Sequence, residues 1–419
     1  PPRTAARPPS SLTTANPAPV AGGLDAARST HPPPTSPAPA VTPVATDAEV
    51  WRFPAPRRLV AIGDIHGTVR ALRSALRIAG LLHPSRDEWV GGDAVLVQTG
   101  DLLDRGDTEV AVIRLLMHLQ STAGASGGGA VHLLLGNHEE DAVNRPAHVV
   151  RPSTCAAWDA AYPHLSGHRV GGIAATMHRQ RCIPAGTGWT AQPYQLARHR
   201  AMAPGGPMAM ALAPRLKVVV VIGDTLFVHG SLTAAMLREQ LAREGTAGSD
   251  VSGDTATRDF DLDAPTADAL VKSMNTRLRR HLAGELTYPP GASQWERLEA
   301  FPAVTDRTFS SPLWCGDRGE ADDLAAVLRL FRVRRMVVGH TIHGRVTARY
   351  GGRVWCIDTG MFRKRARVEV LEICAPGHVS VLSAEGRRRG MTVAEGGETV
   401  PVYVGDGYEA EFGELYGDV

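Results

Sequence analysis

Gly63-Asp64-Ile65-His66-Gly67, Gly100-Asp101-Leu102-Leu103-Asp104-Arg105-Gly106 and Gly136-Asn137-His138-Glu139 decide how this chain is read. Each follows an apolar run: Arg58 to Ile62, Ala94-Val95-Leu96-Val97, and Val131 to Leu135. Short apolar runs closed by glycine have the pattern of buried strands. A helix is expected after the first string, with Thr68 as its N-cap, Val69, Leu72, Leu76 and Ala79 on one face, and Gly80 as its stop. A second is expected from Thr108 to about Gln120. The three strings come about 36 residues apart. They therefore fall at the C-terminal ends of neighbouring strands in a strand–helix–strand–helix–strand unit, where α/β sheets gather ligand groups.

Outward from this unit the pattern changes. Ser126-Gly127-Gly128-Gly129 reads as a loop, and residues 140–215 are irregular and rich in Pro and Gly. Within that stretch, Tyr194 to Met202 reads as helix and Gly171 to Gly188 as a loop insertion. Lys217 to Ile222 and Leu226-Phe227-Val228 flank Gly223-Asp224, the signature of a two-residue hairpin turn. Glu244 to Asp259 reads as a surface loop, and Ala321 to Phe331 as a helix with Leu324, Val327, Leu328 and Phe331 on one side. Met336-Val337-Val338 is a strand ending at Gly339-His340, and Val346 to Ile357 is a hairpin around Gly351-Gly352. Val368 to Ile373, Val379 to Leu382 and Val400 to Val404 are further strand patterns, and no internal repeat is evident.

Bulk properties narrow the classes. With 419 residues and 43% hydrophobic content, the chain exceeds one typical core unless part of it is unstructured. Residues 1 to about 46 are rich in Pro, Ala, Ser and Thr, and a segment of that composition buries too little to offset its ordering entropy. The organisation expected is a Pro/Ala-rich segment over 1–50, a catalytic domain over 51–384 and an extension over 385–419. The leading proline is expected of a fragment or processed form, and Arg3, Arg7 and Arg28 with a single acid, Asp25, also fit the remnant of an organellar transit peptide. A net charge of +2 gives no electrostatic case for nucleic acid. Five scattered cysteines without a C-x-x-C pair fit a reducing compartment and argue against a structural zinc site. No apolar run approaches the length of a membrane span. An intracellular, soluble protein of cytoplasm or plastid is expected.

Two aspartates, an asparagine and two histidines at adjacent strand ends suit a pair of cations about 3.5–4 Å apart, which neutralise phosphoryl oxygens, hold a phosphate ester and lower the pKa of a bridging water. Asp, Asn and neutral His suit Mn, Fe or Zn. Asp64 and His66, two residues apart, hold one metal, Asp101 bridges both, and Asn137 serves the second. His229 after Leu226-Phe227-Val228 and His340 after Val337-Val338-Gly339 complete the second metal's needs, because they too follow strand-like runs. His343 is the nearest rival to His340. A leaving alkoxide needs an acid, which His138 supplies, with Asp104 hydrogen-bonded to keep it cationic. Arg105 offers a guanidinium that grips phosphate bidentately.

Read together, these strings resemble the phosphoprotein phosphatase family of Ser/Thr protein phosphatases within the calcineurin-like metallophosphoesterases, over roughly Leu59 to Met361. Lys217 to Ser231, Val271-Lys272-Ser273-Met274-Asn275, Ser311-Pro312-Leu313-Trp314 and Ile357-Asp358-Thr359-Gly360-Met361 are similar to the Shewanella-like branch. The C-terminal string Ser-Ala-Pro-Asn-Tyr-Cys is absent, as in that branch. The resemblance implies an α/β four-layer fold, two mixed β-sheets in a sandwich flanked by helices. It implies metal ligands at Asp64, His66, Asp101, Asn137, His229 and His340, and phosphate contacts at Arg105 and His138. It further implies a second phosphate-binding arginine after the Pro-Leu-Trp string. Arg318 is the choice, although two extra residues precede it relative to the family's Trp-Tyr-Arg-Gly.

The activity expected is hydrolysis of phosphoserine or phosphothreonine in a protein substrate by direct attack of a metal-bridging hydroxide. Regulatory subunits are not readable from the sequence. Two alternatives remain: hydrolysis of a small molecule such as a bis-nucleoside polyphosphate, and a pseudophosphatase that only binds. The basic run Arg363-Lys364-Arg365-Ala366-Arg367 is read as a solvated edge rather than a docking or targeting signal.

Overall fold

The computed structural model describes residues 50–144, 152–165, 196–246, 262–286, 301–311, 318–374, 377–384 and 389–391. In chain order its elements open with β1 (Arg52–Phe53), β2 (Arg58–Ile62), α1 (Val69–Ile78), β3 (Val95–Gln98), α2 (Glu109–Thr122) and β4 (Ala130–Leu134). The helices α3 (Asn137–Asn144), α4 (Pro152–Ala161), α5 (Leu196–Met202) and α6 (Pro207–Leu212) follow. Next come β5 (Leu216–Lys217), β6 (Val219–Ile222), β7 (Thr225–Val228), α7 (Ala234–Thr246), α8 (Ala264–Leu282) and α9 (Arg318–Leu330). The chain then runs through β8 (Arg335–Val338), β9 (Thr347–Arg349), β10 (Val354–Cys356), β11 (Glu369–Cys374), β12 (His378–Ser383) and β13 (Arg389–Met391).

The strands form two mixed sheets, ordered β13-β12-β11-β2-β3-β4-β5 and β1-β6-β7-β8-β10-β9. In the first, β2 to β5 run parallel and β11 is antiparallel to β2. In the second, β7, β8 and β10 run parallel, while β6 and β9 are antiparallel neighbours. The period of two along a strand explains why the sheets stack. Leu59 and Ala61 of β2 join Val97, Leu134, Val220, Phe227, Val337, Trp355 and Leu371 in the core between the sheets. Val60 and Ile62 face the other way, into the core shared with Leu72 and Leu76 of α1 and Leu116 of α2. Trp51 is buried edge-on against Phe331, with ring centroids 6.0 Å apart.

Six parallel strand ends meet at one edge of this sandwich. β2, β3 and β4 lead into Asp64, Asp101 and Asn137, and β7, β8 and β10 lead into His229, His340 and Asp358. The expected two-sheet sandwich with flanking helices is what the chain adopts, and the Gly223-Asp224 and Gly351-Gly352 turns join antiparallel pairs as read.

Local details differ. Thr68 precedes α1, but its hydroxyl donates back to the His66 carbonyl at 3.2 Å. The Val69 N–H donates instead to Thr108 Oγ1 at 2.9 Å, so the neighbouring loop caps the helix. α9 begins at Arg318 rather than Ala321, with Glu320 in its first turn, where a carboxylate suits the helix dipole. Residues 244–246 continue α7 instead of opening a loop. The expected loop at 171–188, the strand at 400–404 and the segment at 1–49 lie outside the described residues, as do 247–259 and all of the C-terminal extension except 389–391.

Phe227 is fully buried between the sheets. Phe227→Ala is expected to cost about 3–5 kcal/mol through lost transfer energy and the cavity left behind, read as a shift in the denaturant midpoint with the slope unchanged.

Candidate active site

The strand-end loops are held in conformations that local sterics disfavour. His66, Asp101, Asp104, Arg105 and His340 all have positive φ, between 45° and 64°. Non-glycine residues in that region are tolerated where surrounding contacts over-determine them. Here those contacts are explicit. The Ile65 and His66 N–H groups donate to the Asp101 carbonyl at 3.0 and 2.9 Å. The Glu139 carboxylate accepts from Asp101 N at 2.8 Å, Leu102 N at 2.8 Å, Leu103 N at 3.0 Å and Gly136 N at 3.0 Å. Two glycines are obligatory for packing: a Cβ at Gly136 would run into the Asp101 amide and carboxylate, and one at Gly339 into the Asp64 carboxylate.

Two groups of potential ligand atoms result. His66, Asp101 and His138 form one, and Asp101, His229 and His340 the other; within each, the atoms lie within 4.8 Å of one another. His66 Nε2 is 3.6 Å from Asp101 Oδ2, and His229 Nε2 is 3.3 Å from Asp101 Oδ1 and 3.2 Å from Asn137 Oδ1. Asp64, wholly buried, accepts the His340 backbone N–H on both carboxylate oxygens at 3.2 and 3.1 Å, which ties the two sheets together.

Hydrogen bonding separates the four histidines into two kinds. His66 Nδ1, His229 Nδ1 and His340 Nε2 each lie beside a backbone carbonyl: Leu103 at 2.9 Å, Thr99 at 2.8 Å and Thr305 at 3.1 Å. A carbonyl only accepts, so each of these nitrogens carries the proton. That fixes the tautomer and leaves the opposite nitrogen's lone pair for a cation. His138 Nδ1 faces a carboxylate instead, Asp104 Oδ2 at 2.6 Å. A carboxylate at that distance favours the imidazolium at His138.

The charges agree. Burial drives His66 down to about 3 and His340 down to about 2, so both rings are neutral at physiological pH, whereas at His229 burial is outweighed by Asp101, which raises it. Burial also lowers His138, but Asp101 and Asp104 more than offset it and raise it to about 9. Burial, then repulsion from Asp358 and Asp101, pushes the Asp64 carboxyl well above the usual carboxylate range. Asp358 is likewise raised, by burial. Carboxylates packed this closely away from water call for cations between them. The donor set of buried Asp, Asn and His therefore fits divalent metals of the Mn, Fe and Zn type.

The structure brings Asp64, His66, Asp101, Asp104, Arg105, Asn137, His138, His229 and His340 to this one edge. Arg318 begins α9, and its side chain lies outside the described residues. His343 stands apart from both ligand groups: its Nε2 donates to the Ser310 carbonyl at 2.8 Å, a bracing contact between loops.

Three contributors carried no readable signal. Arg198 of α5 is buried and donates to Asp104 Oδ1 at 2.9 Å and to both oxygens of Glu109 at 2.9 and 3.2 Å. Trp158 of α4 donates to the same Glu109 at 2.7 Å. Arg307, exposed at the rim, donates to the His340 carbonyl and to Thr341 Oγ1, both at 3.2 Å. Glu139 was visible in the third string, yet its amide-clamping role needs the fold to be seen.

Comparison with known proteins agrees with the geometry. Residues 57–189 match the family model described as calcineurin-like phosphoesterase. The chain is 32% identical over 200 residues to Shewanella-like protein phosphatase 2 of Arabidopsis thaliana, covering 46% of this chain and 51% of that protein. It is 39% identical over 83 residues to Shewanella-like protein phosphatase 1 of Plasmodium berghei, covering 20% and 22%. It thus spans about half or less of the length of these curated relatives. A solved cold-active protein-tyrosine phosphatase of a psychrophilic Shewanella species has a TM-score of 0.56 at 20% identity, covering 82% of this chain and 84% of that one, and so shares the fold.

In chelator-treated protein the His138 imidazolium is expected to titrate near pH 9 rather than at the ordinary histidine value. A folded value above the unfolded one gives stability that is complete below about pH 6.5 and is lost as pH rises through the folded value. Asp104→Asn should move the titration down. Imidazole proton resonances followed against pH check this, and a His138 signal that titrates at the same pH in both proteins would refute it.

Proposed function

We propose, for a chain that belongs to the calcineurin-like phosphoesterases and resembles their Shewanella-like phosphatase branch, that it hydrolyses phosphomonoesters on protein side chains, phosphoserine and phosphothreonine foremost, with two divalent cations as cofactors. The observation that carries this reading is the Asp101 carboxylate, which belongs to both ligand groups and so can bridge two cations. The catalytic domain is assigned to residues 51–384.

Asp64 and His66 would hold one cation, Asn137, His229 and His340 the other, with Asp101 shared. When bound, the pair supplies neutralisation of the phosphoryl oxygens and a water acidic enough to attack phosphorus. The side chains do the rest. His138, oriented through Nδ1 by Asp104, presents Nε2 to the leaving alkoxide and gives it a proton. Arg105 is exposed and places a permanently charged fork where phosphate oxygens arrive. Arg318, at the head of α9, is the proposed second guanidinium. Attack is direct. The buried Cys356 thiol is pushed up to about 12 by burial, which removes it as a nucleophile.

A phosphotyrosine substrate is the second reading, favoured by the name of the solved Shewanella relative. Phosphoserine, phosphothreonine and phosphotyrosine peptides and a dinucleoside tetraphosphate, assayed side by side on Mn²⁺-loaded protein, separate these readings. Full metal loading without turnover of any of them would leave a binding module.

Asp101→Asn is expected to reduce turnover by at least about a hundredfold, the order lost when one part of a preorganised charge-stabilising site is removed, and to reduce bound metal by elemental analysis. His138→Ala should keep both metals yet slow hydrolysis by about a hundredfold or more on a phosphoserine peptide. It should act far less on p-nitrophenyl phosphate, whose leaving group needs no proton. Equal losses on the two substrates would refute the acid role.

A further inference from the structure

The basic run 363–367 leaves the active site directly. β10 ends at Cys356, and two residues later Asp358 stands among the buried carboxylates of the site. Thr359 begins a loop built from successive tight turns. Gly360 N donates to Asp358 Oδ1 at 2.8 Å, Arg363 N to the Gly360 carbonyl at 2.9 Å, and Ala366 N to the Arg363 carbonyl at 3.2 Å. Thr359 Oγ1 then closes the loop by donating to the Arg367 carbonyl at 3.0 Å. A segment pinned at both ends in this way holds its side chains in a fixed neighbourhood.

Phe362 sets that neighbourhood. Its ring meets the His66 ring edge-on, with centroids 4.7 Å apart. The Arg105 guanidinium lies 5.2 Å from the same ring centroid, and the Arg363 guanidinium 5.7 Å. A ring with a guanidinium within about 6 Å of its centroid is a favourable cation–π arrangement, and Phe362 has two. It makes the phosphate-facing Arg105 and the head of the basic run parts of one surface. Arg363, Lys364, Arg365 and Arg367 are all exposed. Among the described residues, no ion pair joins any of them, or Arg105, to a carboxylate. The chain as a whole is nearly balanced, with 45 Lys and Arg against 43 Asp and Glu, so this concentration of one sign beside the site is local.

We infer that loop 360–367 is a docking rim that selects phosphorylated segments carrying acidic residues next to the phosphoresidue. Arg105 takes the phosphate, and Lys364, Arg365 and Arg367 take the flanking carboxylates. This rests on the catalytic reading given above and names the substrate class for that same site. Charges beside a cleft act on encounter and on partner choice, and they weaken with salt.

The test uses metal-loaded full chain and two fluorescent peptides, each with a hydrolysis-resistant phosphonate analogue of phosphoserine. One peptide has Asp and Glu on both sides, and the other has Ser and Gly. By anisotropy the acidic peptide should bind about tenfold more tightly, the size expected of two or three exposed ion pairs. The preference should vanish at about 1 M salt, where screening acts within about 3 Å. The triple variant Lys364→Glu, Arg365→Glu and Arg367→Glu should lose it too while turning over p-nitrophenyl phosphate at the wild-type rate. Equal affinity for the two peptides, or an equal loss for both in the variant, would overturn the inference. An acidic preference in a wild-type protein that hydrolyses nothing would sustain the rim and overturn the catalytic reading instead.

Discussion

The Asp101 carboxylate is the point through which the rest of the site is balanced. It is buried with His66, His138 and His229 around it. Burial opposes its charge, yet His229 and His138 hold it well below the usual carboxylate range. That balance is possible because the backbone turns sharply there, at φ 55°, so that one residue reaches both ligand groups. The sharp turn persists because Glu139 gathers the amides on either side of it. Ordinary sheet packing therefore delivers an extraordinary density of charge to one edge.

How much of this was legible follows from the range over which each signal acts. The strand–helix alternation, the three strings and the two glycine hairpins are local patterns, and the structure reproduces them within a few residues. His229 and His340 were legible because each ends an apolar run, as Asp64 and Asp101 do. Their convergence with the first sheet depends on pairings such as β7 with β8, about a hundred residues apart, which no periodicity encodes. The cap of α1 shows the same limit at small scale: Thr68 has the right type and position, but a hydroxyl from another loop takes the bond.

What stayed hidden acts through space rather than along the chain. Arg198 lies in a segment read as helix, but nothing in Leu196-Ala197-Arg198-His199 announces a buried guanidinium. Phe362 precedes a basic run that reads, on sequence, as a wet edge. Its meaning changes only when its ring is found against His66 and Arg105. Arg307 sits five residues before the Pro-Leu-Trp string, away from where the resemblance directs attention.

Arg198 also has a mechanical consequence. It is the counter-charge of Asp104, and Asp104 aims His138; Glu109 of α2 accepts from the same guanidinium and from the indole N–H of Trp158 in α4. The orientation of the His138 imidazole is thus only as firm as the seating of α4 and α5 on α2. Whatever grips those helices from outside would loosen or tighten the aim of an imidazole it never touches.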